Sequence, residues 1–293
     1  MFTNAITVIV PNFNHGRYLK QRIDSILNQT FQDFEIIILD DHSTDDSVVI
    51  IESYRNHPKI SEIIYNEKNS GSPFAQWTKG INLAKSKYLW IAESDDFSDP
   101  LFLEKMIGLI SSDQRIGIAY CNSNWVDAYG VAGPSLSLFN ESYQRSGREE
   151  LVTLLDHNTV QNVSSALILT EHAKKATFNL DKYKACGDWL FYIRILQISD
   201  IAYTPSLLNN FRWYHSNTSH NAQKEGRWIV EGIDIISQIN PGIIQISAGH
   251  YRAILALWYV KVKNASMITS LTKAKCYVKL LLILSKVVIT RGI

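Results

Sequence analysis

Four polar clusters in this 293-residue chain have the types and spacing to hold charge or move a proton. Glu93-Ser94-Asp95-Asp96 follows an apolar run at 88–92, so adjacent carboxylates gather at the end of a buried strand. Like charges this close are unfavourable unless a cation or hydrogen-bond donors compensate them. Hard oxygen ligands with few protein contacts suit magnesium or manganese, with phosphate oxygens completing the shell. The same acids, ahead of Asp99-Pro100, also suit a helix start. A second acidic pair, Asp40-Asp41, closes the apolar run at 36–39, and two such pairs together favour the ligand reading. Ser43 or Thr44 is expected to cap the following helix, with Asp45 and Asp46 in its first turn. Pro11-Asn12-Phe13-Asn14 supplies amides and an aromatic face suited to a planar base. Asp188 precedes a helical pattern at 189–198, where it can cap the helix and, once ionised, accept a proton.

Positioning these groups falls to alternating elements. Short apolar runs at 6–10, 36–39, 60–65, 88–92 and 116–120 alternate with helical patterns at 17–29, 74–84 and 99–110. That alternation predicts an α/β fold: a mostly parallel, Rossmann-like sheet with helices on both faces. Such sheets bind ligands at the carboxyl ends of their strands, where the clusters at 11–14, 40–41 and 93–96 fall. Further strands are expected at 163–169 and 207–214, and the pattern turns helical from about 226. No glycine-rich phosphate loop follows the first strand, which disfavours a dinucleotide dehydrogenase, an ATPase or a sugar-nucleotide pyrophosphorylase.

Charge is uneven. Residues 1–110 carry a net −5, residues 111–234 a net −2, and residues 235–293 a net +8 without one acid. The acidic front half argues against a nucleic-acid partner. The basic, apolar tail suits either an anionic membrane surface or a face packed on the body with its lysines in water. Its segment at 277–289 is too short and too charged to span a bilayer. Three scattered cysteines without CxxC spacing fit a reducing compartment, and the N-terminus reads as a strand and not as a signal peptide. The expected location is cytoplasmic, with peripheral attachment at the inner face of the plasma membrane left open.

Residues 7–47 and 69–96, from TVIVPNFNHGRYLK to YLWIAESDD, resemble the inverting glycosyltransferases of family 2, which have the GT-A fold. The resemblance covers roughly 4–215 and implies a catalytic domain at 1–225 followed by a helical extension at 226–293. It implies a nucleoside-diphosphate sugar donor, UDP-linked by preference, and a divalent cofactor, Mn2+ or Mg2+. The implied acceptor is a saccharide or polyprenol-linked saccharide used in bacterial surface-polysaccharide synthesis of the O-antigen or capsule type. By that resemblance Pro11, Phe13 and Asn14 form the nucleotide loop, Asp41 meets the base, Asp95 lies near the ribose and Asp96 holds the metal. Asp188 matches the catalytic base, although glycine stands where relatives often carry the preceding glutamate. Arg212 and His215 match a loop that closes near the diphosphate, and Gln76 and Lys79 are candidates to approach the donor. A non-catalytic nucleotide-sugar-binding relative is the alternative.

Overall fold

The protein is described by a computed structural model covering residues 4–133, 139–214, 218–244 and 246–291. Strands β1 (Ile6–Asn12), β2 (Phe34–Asp40), β3 (Ile60–Tyr65) and β4 (Tyr88–Ile91) are joined by helices α1 (Gly16–Leu27), α2 (Ser47–Ser53) and α3 (Pro73–Leu83). These strands lie parallel in the order β3-β2-β1-β4. The order reverses between β1 and β4, so the crevice at their carboxyl ends is a topological switch point. It is bounded by the segments after Asn12, Asp40 and Ile91.

β1 continues two residues beyond the expected Val10, through Pro11. Pro11 shares the parity of Ile9, whose carbonyl accepts from Ala92 just past the end of β4. The N–H that proline lacks would therefore point to a side with no strand opposite it.

β5 (Phe97–Ser98), α4 (Phe102–Ile110) and β6 (Ile116–Val126) follow. After β7 (Tyr143–Arg145) and α5 (Gly147–Leu154) come β8 (Ala166–Leu169), α6 (Thr170–Ala176), α7 (Gly187–Leu196) and β9 (Asp200–Arg212). β8 enters antiparallel between β4 and β6, and β5 and β7 pair antiparallel with β9, so the second half of the sheet is mixed. β6 and β9 run parallel well past the apolar stretches that announce them. Their polar halves are held by side chains: Asn124 Nδ2 donates to Asn210 Oδ1 at 3.1 Å, and Asn209 Nδ2 donates to Ser123 Oγ at 3.1 Å.

The sheet separates two cores. Ile6, Val8, Val10, Ile36 and Trp90 face α1 and α4, while Ile9, Leu39 and Ile91 share a core with α3 and α7. The second core continues into α9 (Arg227–Ile236), α10 (Ala248–Asn264) and α11 (Ser270–Arg291), which follow the short α8 (Thr218–Lys224). Trp258 on α10 stacks on Trp189 of α7 with ring centroids 5.9 Å apart, and its Nε1 donates to the Leu155 carbonyl at 2.8 Å. A Cβ on Gly232 would stand 2.6 Å from the Trp258 ring, so only glycine lets α9 and α10 approach this closely. Trp258→Ala is expected to cost about 3–5 kcal/mol, read as a lowered midpoint in thermal unfolding. An unchanged midpoint would mean that the C-terminal helices add nothing to the body's stability.

Candidate active site

β4 is completely buried among apolar neighbours, and the acidic loop begins where it ends. Glu93 accepts from Trp77 Nε1 at 2.6 Å, and Asp95 accepts from the Tyr214 hydroxyl at 3.0 Å. His15 bridges Ser94 and Tyr214, at 2.8 Å through Nδ1 and 3.2 Å through Nε2. Asp96, only 1% exposed, accepts from Asn162 Nδ2 and from the Arg212 backbone N–H, both at 3.0 Å.

These acids strain one another electrostatically. The Glu93 carboxyl is pushed up to about 8, first by burial and then by Asp95, against the hydrogen bond from Trp77. Asp96 is likewise held above the usual carboxylate range by burial and Asp95, with Arg22 pulling the other way. Arg22 is fully buried beneath the loop, its guanidinium 4.9 Å from the Trp90 ring and hydrogen-bonded to Ser98 at 2.9 Å. Crowded acids of this kind gain from further positive charge, and a divalent ion beside Asp95 and Asp96 would supply it. Among the described residues no three His, Cys, Asp or Glu side chains converge to hold a metal unaided. The pair Asp95 and Asp96 fits a cation bound by one or two carboxylates and completed by substrate phosphates.

Arg212 does not meet the expectation of a diphosphate contact. It is 1% exposed and does not face the cleft. Its Nε donates to the Asp95 carbonyl at 2.7 Å, Nη1 to the Asp127 carbonyl at 3.0 Å and Nη2 to Gln21 at 2.9 Å, and its guanidinium lies 4.3 Å from the Tyr18 ring. Arg212 thus fixes the acidic loop from behind. His215 lies outside the described residues. Asn14 is also redirected: it adopts φ +55°, a left-handed conformation that asparagine tolerates, and its Oδ1 accepts from the Thr44 N–H at 2.7 Å. It does not line the cleft.

The second acidic pair divides its tasks. Asp40 accepts from Asn12 Nδ2 at 2.8 Å and from the Ser43 amide and hydroxyl at 2.9 and 2.6 Å, so it ties two loops together. Ser43 therefore does not cap α2. Asp45 instead joins α1 to α2, accepting from the Gly16 and Ser47 amides at 2.8 and 3.0 Å. Asp41 faces the cleft and accepts from Asn66, the Ser70 amide and hydroxyl, and Gln76 at 2.6–2.9 Å. Gln76 lines the cleft and also orients Asp41, whereas Lys79 turns away to donate to Asn66 at 2.7 Å.

Asp188 sits in the first turn of α7, with its Oδ2 accepting from Asn158 Nδ2 at 3.0 Å. Burial, with a smaller contribution from the Glu231 charge, pushes its carboxyl up to about 7, against the Trp189 amide and Asn158. A carboxyl balanced near neutrality suits a general base.

Pro11, Phe13, Asp41, Asp95, Asp96 and Asp188 all line one cleft of about 530 Å³. Phe13 is 43% exposed, leaving an aromatic face free for a base. His15, Asn162, Lys184 and Arg227 also line the cleft and were not singled out from sequence. His15 adjoins the 11–14 cluster at the end of β1, whereas Asn162, Lys184 and Arg227 stand in segments without an acidic pair to mark them.

Residues 7–166, more than half of the chain, match the family profile described as Glycosyl transferase family 2. Chondroitin synthase of Escherichia coli is 27% identical over 218 residues, covering 73% of this chain and 30% of that protein. The poly(ribitol-phosphate) beta-N-acetylglucosaminyltransferase TarP of Staphylococcus aureus (strain N315) is 28% identical over 207 residues, covering 66% and 58%. The chain spans less than two thirds of either relative. Among solved structures, S. aureus TarS 1-349 in complex with UDP-GlcNAc overlaps 94% of this chain and 71% of its own, with a TM-score of 0.61 at 19% identity. Mannosyltransferase PcManGT from Pyrobaculum calidifontis, in complex with GDP-Man and Mn2+, overlaps 97% and 87%, with a TM-score of 0.58 at 13% identity. At these identities the likeness is one of fold, the α/β GT-A architecture with helices after the sheet.

Proposed function

The chain belongs to glycosyl transferase family 2, and on that premise we propose that it is an inverting, metal-dependent glycosyltransferase. The observation that carries this reading is the single cleft gathering Asp41, the Asp95–Asp96 pair and Asp188 from three separate segments. Phe13, Pro11 and Asp41 bind the base, and Asp95 lies at the ribose. Asp96, with Asp95 beside it, would hold Mn2+ or Mg2+, which when bound offsets charge gathering on the leaving diphosphate. Lys184 and Arg227 add positive charge to the cleft wall, in place of the buried Arg212.

Asp188 accepts the proton of an acceptor hydroxyl as that oxygen attacks the anomeric carbon. The bond to the diphosphate oxygen breaks on the opposite face, its electron pair leaving with the nucleotide, and the anomeric configuration inverts in one displacement. A UDP-sugar is the favoured donor, supported by the fold shared with a UDP-GlcNAc complex; a GDP-sugar has the corresponding support of the GDP-Man complex. The proposed acceptor is a hydroxyl of a saccharide or polyprenol-linked saccharide in surface-polysaccharide synthesis, in keeping with the polymer named for both relatives. The test is a transfer and donor-hydrolysis screen over nucleotide sugars with Mn2+, with the product anomer assigned by NMR. Metal-dependent release of nucleotide supports the reading, and no turnover of any donor opposes it.

The titration of Asp188 gives an expected pH profile. The base acts only when ionised, so kcat/KM rises with pH on a limb centred near 7, with a slope approaching one per pH unit. A rate flat from pH 5 to 8 would remove Asp188 from this role.

The C-terminal helices carry a membrane-facing proposal. Leu257, Tyr259 and Val260 on α10, and Leu271, Val278, Leu281 and Leu282 on α11, are exposed in a region with eight Lys+Arg and no acids. Among the described residues no helix is long and apolar enough to cross a membrane. Such a surface suits an anionic bilayer at the inner face of the plasma membrane. The protein is expected to sediment with phosphatidylglycerol vesicles at low salt and to be released at high salt. Absence from the low-salt pellet would reject the attachment.

A further inference from the structure

The segment before Asp188 is held from an unexpected direction. Glu231, partly buried on α9, accepts from three successive amides of that segment: Lys184 at 3.0 Å through Oε1, and Ala185 and Cys186 at 3.0 and 2.8 Å through Oε2. Consecutive amides turned toward one carboxylate form an anion-binding concavity, and charge-assisted bonds of this kind are strong and directional. α9 itself is fixed. Asp234, one turn further along, accepts from the Tyr183 hydroxyl at 2.6 Å and from Lys279 at 2.5 Å, while Gly232 lies beneath Trp258. On the other side Gly187 packs on Phe74, where even a Cβ would come within 2.7 Å of the ring. The turn carrying Asp188 is thereby set between α3 and α9 with no slack.

We propose that Glu231 is a positioning residue for the transfer reaction: its carboxylate grips the 184–186 amides and so aims Asp188 at the acceptor hydroxyl. The inference rests on the reading of Asp188 as the base. It also gives the C-terminal helices a task inside the reaction centre, because the α9–α11 assembly holds the catalytic turn through this side chain together with the Trp258–Trp189 stack and the Tyr183–Asp234 bond.

Glu231 also adds its charge to the burial that raises Asp188. Glu231 from α9, Cys186 from the preceding segment, Tyr192 from its own helix and the neutral Asn158 interact with Asp188, while Glu93, Lys184 and Arg227 line the same cleft. The Glu231 charge disfavours ionisation of Asp188, so its removal lowers the pH at which the base becomes active.

The test uses the full chain and the donor and acceptor found in the transfer screen. Glu231→Gln removes the charge and part of the grip. It is expected to lower kcat about 10- to 100-fold at pH 8, to leave donor KM within about twofold, and to move the acid limb of kcat/KM to lower pH. Glu231→Asp keeps the charge with a shorter reach, so kcat falls while the limb stays in place. Thermal unfolding of both variants measures the folded fraction at the assay temperature. Wild-type kcat with an unmoved limb in Glu231→Gln would overturn the proposal, as would a loss of rate equal to the loss of folded protein in both variants. Asp188→Asn in parallel separates the two readings. If it is inactive while Glu231→Gln behaves as wild type, only the positioning role fails; if it turns over normally, the base assignment fails first.

Discussion

Asp188→Asn is expected to lower turnover by about 10²–10⁴-fold, the usual contribution of a general base, while donor affinity stays at its wild-type value. Asparagine keeps the size of the side chain and an oxygen for Asn158 Nδ2 to meet, so the wall of the cleft is preserved. It cannot take the acceptor proton. The same substitution is expected to raise the thermal midpoint at pH 8. In the folded chain the carboxyl titrates near 7, and its ordinary value is 3.8, so from about pH 4 to 7 the native state holds a proton that the unfolded state has released. Stability therefore falls as pH rises through that window, and above it the folded chain carries the cost of an ionised, partly buried carboxylate. Asparagine removes that cost, and the advantage vanishes below pH 4, where both states are protonated. A variant that is more stable at pH 8 and nearly inactive would show burial serving the chemistry at the expense of stability. Near-normal turnover would contradict the assignment.

Asp96→Ala is expected to abolish the manganese-dependent part of donor affinity and to lower turnover by roughly 10³-fold, the scale lost when a group that offsets developing charge is removed. The residual, metal-independent binding of the base through Phe13 and Asp41 should survive. The substitution leaves Asn162 Nδ2 and the Arg212 N–H without their carboxylate acceptor, each a buried donor costing about 1–3 kcal/mol. Binding must therefore be measured below the variant's own unfolding transition. Manganese-dependent affinity equal to that of the wild type would place the metal elsewhere.

The half of the site built on the parallel strands is legible in the sequence because its physics is local. An apolar run at 88–92 or 36–39 announces a buried strand, and the acids that end it have nowhere to stand except the carboxyl edge of the sheet. Asp188 is marked by the helical pattern that follows it. What escapes is set by partners distant along the chain. Arg212 reads as an arginine on a strand, and only the packing of β9 against Tyr18, Gln21 and the Asp95 carbonyl turns it inward. Asn162, which holds Asp96 from 66 residues away, lies in an unremarkable loop. Ser43 and Asn14 look like a cap and a ligand because their types suit both tasks; the Asp40 carboxylate and the Thr44 amide decide otherwise. β6 and β9 are under-read because their polar halves pair through asparagine and serine side chains that carry no apolar alternation. The helices after residue 225 are recognisable as helices. Their seating against α7 depends on Gly232 making room for Trp258, which no periodicity reveals.

The most direct test of the whole account is an isothermal titration of UDP, GDP and dTDP into the intact protein, first with Mn2+ and then with a chelator. At least one nucleotide is expected to bind 1:1 with manganese and about tenfold or more weakly when the metal is withdrawn, a difference of at least about 1.4 kcal/mol. Failure of all three nucleotides to bind, or an affinity indifferent to the metal, would contradict it.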